Sequence, residues 1–517
     1  MGSNSEVYSY HNFMFPFRFD KILKQKDKVF IDKHEYYRDN SFDDRVKIDD
    51  KLKKSLDDSG WKYEKYEPTD DDNLAYNERV YFHDFVKDSL YNTQDFKENN
   101  KATSYYFSKK VTEWDTFTIK IKEGKSYLLT ITNLSLRVFD TGVAILSIEL
   151  ENKKHSQSFI DDILKINDFG RRIYPQYLSK YDAKSPYWTE ATKDSLLADS
   201  IGVCLDGVLV EENFNDTYKT VPKDIEIASY IMDILGDTFT RDKNKVNKYY
   251  IQPSVDDRMF VICWYGNSVM SESLKKYKYI EDEAISGKWY EYVFVDGQGK
   301  MVQSPRMQTK LIEESTYDRW MEWGTLYGMT RYSFVSLTNE AWFPKNVLLP
   351  HIQTMYFQMF TLLLAQRASI LRFSDEITAI SDIENDHLED KTTSLYKNYI
   401  RFVNKLYFRE ITSQDQGLEI YNQARGILKI DDDIKDLDNE IEELHRYVSM
   451  KEEEKRTKKM DKLSQLGYIF LPPTLIAGIF GMNVFDSSIE TETWIVNAFT
   501  LMALSIAVTL FFTKGKK

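Results

Sequence analysis

The sequence predicts an α+β membrane protein with an N-terminal mixed α/β domain, a helical stalk and a C-terminal pair of membrane-spanning helices. Its 517 residues allow two or three domains, and 29% of them are charged, so most of the chain must contact water. Two apolar segments lie within the last sixty residues. The predicted divisions are 1–345 for the α/β domain, 346–462 for the helical region and stalk, 463–482 for the first span, 483–493 for a link, 494–512 for the second span and 513–517 for a basic tail.

Net charge and cysteine content exclude several classes of protein. The chain carries 82 acidic and 69 basic residues, a formal charge of −13, whereas a general nucleic-acid binder is basic. We therefore expect no direct nucleic-acid binding. The two cysteines, Cys204 and Cys263, form no CxxC motif, which indicates neither a disulfide framework nor a structural zinc site and favours a reducing compartment.

The N-terminal domain contains both strand and helix patterns. Alternating apolar residues bounded by turn residues such as Gly124 predict strands, and apolar residues at helical spacing predict helices. The predicted strands are 117–121, 127–132, 259–265, 289–295 and 331–337, and the predicted helices are 158–166, 225–235 and 347–377. The apolar stretch 352–365 is too short for a span and contains Gln353 and Gln358, so we interpret it as a buried core helix.

No catalytic constellation is evident in the sequence. It has no phosphate-binding loop of the G-x-x-x-x-G-K-[ST] type, no G-x-G-x-x-G and no H-E-x-x-H, and its seven histidines are scattered. We therefore expect a protein that is not an enzyme. An enzyme or scaffold that is merely anchored in a membrane is the least supported alternative.

Residues 463–482 and 494–512 are each long and apolar enough to cross a bilayer as a helix. The link between them is short and has no Lys or Arg, whereas basic residues precede the first span and follow the second. Because cytoplasmic flanks carry the excess of positive charge, both termini are predicted to be cytoplasmic in a multi-pass protein of the cytoplasmic membrane. The basic flank consists of Lys451, Lys455, Arg456, Lys458, Lys459 and Lys462, followed after the second span by Lys514, Lys516 and Lys517.

The segment before the first span has a heptad pattern. From about residue 420 to 448, apolar residues occupy the a and d positions, and charged residues fill most of the others. Such a seam predicts a helix that packs against identical partners, and its register continues through the first span to Asn483. A single helix from 420 to 483 would be roughly 95 Å long at 1.5 Å per residue, and Pro472 and Pro473 predict a kink within it.

The sequence Gly481-Met482-Asn483 follows the first span, and a short acidic link, a last span and a brief basic tail come after it. This layout resembles the CorA family of divalent-cation channels over roughly residues 420–517. The resemblance implies a homopentamer in the lipid bilayer that passes Mg²⁺ or another divalent cation through a selectivity filter of Gly481, Met482 and Asn483. It also implies a hydrophobic gate at Ile469, Ile476 and Ile479. The Met-Pro-Glu element often found in the family's link is absent.

Three further groups of residues are candidates for cation attraction or regulation. Asp486, Glu490 and Glu492, repeated around a ring, would concentrate cations at the outer mouth; an ordinary solvated loop would also contain them. Glu384, Asp386, Glu389 and Asp390 are a candidate regulatory metal site or simply a solvated turn between helices. Arg171, Arg172, Arg319, Trp320 and Arg331 could bind a phosphate and stack a base, or pack ordinarily.

If the arginines and Trp320 bind a nucleotide, that nucleotide would be the gating ligand. The protein would then be a nucleotide-gated CorA-like membrane effector of an antiviral, CRISPR-type signalling system. This is the alternative to a pore that is gated by its divalent cation.

Overall fold

The structure, a computed structural model, describes residues 6–25, 28–30, 48–67, 73–96, 102–173, 198–214, 227–297, 299–381, 388–481 and 491–514. The chain divides into two compact units, Met1–Ile441 and Glu442–Lys517. The first unit contains strands and helices. In the second unit the described residues are helical.

The first unit is built on one large sheet. Its long strands alternate apolar and polar residues where one face is exposed, whereas β8 is covered on both faces and is buried at all but one of its ten residues. The strands are β1 (Ser9–Lys21), β2 (Leu23–Gln25), β3 (Lys28–Phe30), β4 (Trp61–Tyr63), β5 (Ser104–Lys109), β6 (Thr116–Lys120), β7 (Ser126–Phe139), β8 (Val143–Asn152), β9 (Ser200–Leu205), β10 (Val208–Asn213), β11 (Phe239–Thr240), β12 (Tyr249–Pro253), β13 (Phe260–Gly266), β14 (Thr316–Tyr317), β15 (Leu326–Met329) and β16 (Ser333–Thr338).

The strand order along the sheet is β10-β9-β6-β7-β8-β1-β13-β16-β15-β14. Strand β5 pairs with β4 and β7, β12 pairs with β1 and β11, and β2 and β3 form a separate hairpin. The pairs are antiparallel except β13 with β16 and β11 with β12. Strand β1 is central because it pairs with β8, β12 and β13.

Helices cover the sheet and then continue towards the C-terminus. They are α1 (Asp50–Asp58), α2 (Asn73–Tyr81), α3 (Asp84–Leu90), α4 (Ile160–Gly170), α5 (Ser229–Leu235), α6 (Ser268–Ser273), α7 (Lys278–Glu281), α8 (Glu283–Phe294), α9 (Pro305–Ser315), α10 (Phe357–Ser381), α11 (Leu388–Lys405), α12 (Asp415–Leu428), α13 (Ile430–Gly481) and α14 (Thr491–Lys514). Two π-helical turns, Pro344–Leu348 and Ile352–Tyr356, flank Leu349–His351 immediately before α10.

The structure confirms the predicted strands 117–121, 127–132, 259–265 and 331–337, which correspond to β6, the start of β7, β13 and β16. Of the predicted helices, 158–166 corresponds to α4, and 347–377 falls in the helical run that ends with α10. Within 225–235, residues 225 and 226 lie outside the described residues, and the helix is α5. These segments have clear periodicity.

The predicted strand 289–295 is wrong, because these residues end helix α8. Its N-terminus is capped by Asp282, whose carboxylate accepts from the backbone N–H groups of Ala284 and Ile285. The helix is buried on several faces, so its aromatic residues are not confined to one helical stripe and look alternating in sequence. Trp289 donates from Nε1 to the hydroxyl of Thr316, 2.9 Å away.

The core helix predicted for 352–365 is present, with residues 352–356 in the second π-helical turn and 357–365 in α10. The helical run Pro344–Ile380 is the one described segment long and apolar enough to cross a membrane, yet 67% of its most apolar window is buried inside the protein. Phe360 stacks on Phe334 of β16 and Phe260 of β13, with ring centroids 4.3 and 5.5 Å apart. These contacts assign the apolar surface of α10 to the sheet.

A buried arginine, Arg372, links α10 to the central strand β1. Arg372 donates to the carbonyl oxygens of Phe19 and Gly142, at 3.2 and 2.6 Å, and its guanidinium pairs with Asp20 at 2.7 Å and Glu376 at 2.9 Å. The side chains of Arg372 and Glu376 are 5% and 4% exposed. A buried charge is tolerated only when paired and hydrogen-bonded, and this guanidinium meets that condition.

Replacing Arg372 with Met should lower the free energy of unfolding of the first unit by about 3 kcal/mol, since Glu376 and two carbonyl groups lose their buried partner. Urea denaturation followed by tryptophan fluorescence measures the change. Lys310→Ala is the control, because Lys310 and its partner Glu314 are well exposed and lie 3.6 Å apart, and it should leave the transition in place. Equal effects of the two variants would contradict the role of Arg372.

A second buried network surrounds His11 on β1. Its Nδ1 lies 2.7 Å from Oδ1 of Asn167 on α4, and its Nε2 lies 2.9 Å from the hydroxyl of Ser9. The thiol of Cys263 on β13 is 3.6 Å from the same Nδ1. Burial lowers the pKa of His11 to about 4, so the ring stays neutral in the folded protein at neutral pH.

The unfolded chain takes up a proton at His11 near pH 6.5, whereas the folded chain does so only near pH 4. The contribution of His11 to stability is therefore complete above pH 6.5 and falls by roughly 3 kcal/mol as the pH drops to 4. Denaturation measured across this range should show a steeper loss for the wild type than for His11→Gln. His83→Gln, at a partly exposed site, should retain the wild-type slope; a parallel slope for His11→Gln would refute the assignment.

Candidate functional site: the helix α13 and its surroundings

Helix α13 spans 52 residues, Ile430–Gly481, and contains both the end of the predicted stalk and the first predicted span. Pro472 and Pro473 lie inside it. The expectation of one helix from residue 420 to 483 is wrong at its start. Lys429 has a left-handed backbone conformation, with φ of 55°, and separates α12 from α13.

Arg425 holds this break in place. Its guanidinium pairs with Asp431 at the start of α13, donates to the carbonyl of Arg409 at 2.8 Å, and stacks over the rings of Tyr407 and Tyr421 at 5.3 and 5.4 Å. The Lys429 N–H closes α12 on the Gly426 carbonyl, at 3.1 Å. These contacts join residues near in sequence, but the heptad pattern that continues across Lys429 hides the break.

The apolar seam before residue 442 packs within one chain. Ile420, Leu437 and Ile441 are at most 2% exposed in the single chain. The Tyr399 hydroxyl donates to Asp438 at 3.1 Å, so helix α11 lies beside this part of α13. The seam over 420–441 therefore needs no identical partner to cover these residues, and the expectation that it does is wrong there.

The second unit shows the opposite pattern, because large apolar side chains of α13 are exposed. Seven residues are each between 50% and 69% exposed: Met460, Leu463, Leu466, Tyr468, Phe470, Leu471 and Leu475. An exposed apolar surface on one helix marks an interaction with lipid or with another chain. Leu463 to Gly481 would span roughly 28 Å at 1.5 Å per residue, close to the thickness of the hydrocarbon core.

The predicted gate lies on this helix. Ile469 and Ile476 are partly exposed, and a spacing of seven residues puts them on one face. Ile479 is helical. Gly481 is the last residue of α13, whereas Met482 and Asn483 of the predicted filter lie outside the described residues.

The outer acidic residues and the basic flank are described only in part. Asp486 and Glu490 lie outside the described residues, and Glu492 belongs to the first turn of α14 and not to the link. Within the basic flank, Lys458 pairs with Glu454 at 2.6 Å, four residues before it on the same helix, and both side chains are exposed. Helix α14 contains a shorter apolar stretch, Ile495–Val508.

The five candidate ligand-binding residues fall into two groups. Arg171 donates to the Val295 carbonyl at 2.9 Å and approaches Asp168 at 3.5 Å; burial lowers the pKa of Arg171 to about 10. Arg172 is bridged through its backbone to Arg258, a residue that no sequence pattern singled out.

The second group lies against α12. Arg319 pairs with Glu419 at 2.6 Å and lies over the ring of Trp320, while Arg331 reaches the Ile427 carbonyl at 3.4 Å. Arg258 connects the two groups, because its backbone is bridged to Arg172 and its guanidinium lies over the ring of Tyr332, next to Arg331, 5.0 Å from the centroid. The contacts described for Arg319 go instead to Glu419 and Trp320, so they do not bring all five residues into one nucleotide site.

The candidate metal cluster lies mostly beyond what is described. Glu384 and Asp386 are outside the described residues, Glu389 is an exposed residue of α11, and Asp390 follows it in the helix. Among the residues that the structure describes, no group of three or more His, Cys, Asp or Glu side chains could hold a metal ion.

Comparison with known proteins finds a similarity in the C-terminal third of the chain. A family model described as CorA-like Mg²⁺ transporter protein matches residues 347–514, from within the helical run before α10 to the end of α14. No curated protein and no solved structure matches the chain.

Proposed function

Because a family model of CorA-like Mg²⁺ transporters matches residues 347–514, we propose that the chain is a homopentameric channel for divalent cations, with Mg²⁺ as the principal ion. Ions would be selected at a ring of Gly481, Met482 and Asn483 and would move down their electrochemical gradient without covalent chemistry. The supporting observation is that α13 carries exposed apolar side chains from Leu463 to Leu475 and ends at Gly481, inside the matched region.

The chemistry of the motif suits a hydrated divalent cation. Mg²⁺ gives up its water molecules reluctantly, so carbonyl and amide oxygens can hold the hydration shell without removing it. Ile469 and Ile476, on one face of α13, would form hydrophobic constrictions that close the pore by excluding water. In the proposed assembly, this face of every subunit is directed towards the shared axis.

The distribution of acidic and basic residues predicts which end of the proposed pore faces the cytoplasm. Asp486, Glu490 and Glu492 would surround the outer mouth and attract cations. The lysines before Leu463 and after the second span would remain at the cytoplasmic side, as positive flanks generally do. This arrangement makes the protein multi-pass, with both termini in the cytoplasm and the first unit available for regulation.

Asn483→Ala should lower Mg²⁺-selective flux into reconstituted vesicles by about tenfold, because a lost hydrogen bond of one to two kcal/mol to the hydrated ion corresponds to a factor of that size. Flux is followed with a Mg²⁺-sensitive dye inside the vesicles. Asn497→Ala is the matched control, since Asn497 is an asparagine of the other predicted span, in α14. Undiminished, still selective flux through Asn483→Ala would remove the filter assignment.

A further inference from the structure

A polar cavity of about 470 Å³ lies in the first unit between the sheet and the start of α10. Strands β5 and β7 contribute Tyr106 and Arg137, helix α2 contributes Glu78, Tyr91 follows α3, and α10 contributes Gln358. A cavity of this size is typical of small-molecule sites. None of these residues belongs to the proposed pore.

Arg137 provides the buried positive charge of the cavity. It is 3% exposed, and its guanidinium lies over the ring of Tyr106, 4.9 Å from the centroid. One terminal nitrogen donates to the Leu90 carbonyl and the other to Oε1 of Gln358 at 2.8 Å, while Nε has no hydrogen-bond partner among the residues that the structure describes. Leaving a buried charged donor without an acceptor is unfavourable, and a ligand carboxylate would relieve this cost.

Glu78 provides the opposite charge. It accepts from the Tyr91 hydroxyl at 3.0 Å, and burial raises the pKa of Glu78 above its ordinary value. A second carboxylate, that of Glu64, also lines the cavity. Lys65 also lines the cavity, so two carboxylates stand beside two cationic side chains. This balanced lining suits a ligand that carries both charges better than a purely anionic ligand such as phosphate or a simple cation.

Gln358 lies beside both charges. Its amide oxygen accepts from Arg137 at 2.8 Å, and its side chain offsets part of the rise in the pKa of Glu78. A free α-amino acid also presents an oxygen acceptor and an N–H donor close together. Its acceptor is a carboxylate and its donor is an ammonium group, so each carries a full charge. Charge-assisted hydrogen bonds are roughly twice as strong as neutral ones, so such a ligand can displace the amide.

We propose that this cavity binds a free amino acid, with its carboxylate on Arg137, its ammonium group on Glu78 and its side chain against the rings of Tyr66 and Tyr91. These two rings lie 5.1 Å apart and line the cavity. Binding displaces Gln358, the second residue of α10, and so releases a polar link between the sheet and the CorA-like region. The effect on ion flux rests on the proposed channel function, whereas binding does not.

Calorimetry of the full-length protein in detergent, titrated with each of the twenty L-amino acids and with inorganic phosphate, tests the proposal. We expect at least one amino acid to bind, with a Kd between about 1 μM and 1 mM, and phosphate not to bind. Arg137→Lys, which keeps the charge but loses the planar fork, should weaken binding at least tenfold. Failure of all twenty amino acids to bind, or binding of phosphate in their place, overturns the proposal.

Gln358→Leu distinguishes a binding site from a structural network. It removes the competing amide, so the amino acid should bind about tenfold more tightly. The control is Gln308→Leu, another buried glutamine, which donates to Ser286 at 3.0 Å and lies outside the cavity; it should leave affinity unchanged. Unchanged or weaker binding to Gln358→Leu counts against displacement and overturns the mechanism.

Mg²⁺ flux in vesicles made from the same preparation separates the two proposals. Normal flux from a protein that binds no amino acid overturns the cavity proposal and leaves the channel intact. Amino-acid binding that depends on Arg137, in a protein without flux, supports the cavity and contradicts the channel.

Discussion

The link between α10 and the central strand is the constraint on which the first unit depends. Arg372 brings its charge into the protein interior because Asp20, Glu376 and two backbone carbonyl groups accept from it. With that charge satisfied, the apolar surface of α10 can lie against the sheet, where Phe360 stacks on residues of β13 and β16. The CorA-like region therefore begins as a core helix of the first unit.

Apolar composition has opposite consequences in α10 and α13. The apolar side chains of α10 are covered by the sheet and by neighbouring helices, whereas those of α13 beyond residue 460 are exposed in the single chain. A single-chain hydrophobic core accounts for most of the apolar surface of α10. The exposed side chains of α13 require lipid or further subunits, and the proposed channel supplies both.

Coupling between regulation and the proposed pore would begin at the polar residues that face α10. Gln358 sits between Arg137 and Glu78 at the N-terminal end of this helix, and Arg372 anchors it further along. One contact is a neutral amide that a charged ligand can replace, and the other is a fully paired buried cation. Of the two, the Gln358 contact is the one suited to switching, while Arg372 preserves the fold.

The sequence by itself determined the parts that depend on local periodicity: the strands β6, β7, β13 and β16, the core helix at 352–365 and the resemblance of the C-terminal segments to a channel family. It could not determine whether residues 289–295 form a strand or a helix, because burial on several faces removes the periodicity that separates the two. The break at Lys429 was also missed, because the heptad pattern continues across it and does not register the contacts by which Arg425 stabilises it. The sequence could not predict the cavity, because Arg137 and Gln358 are 221 residues apart and only the packing of α10 on the sheet brings their side chains together.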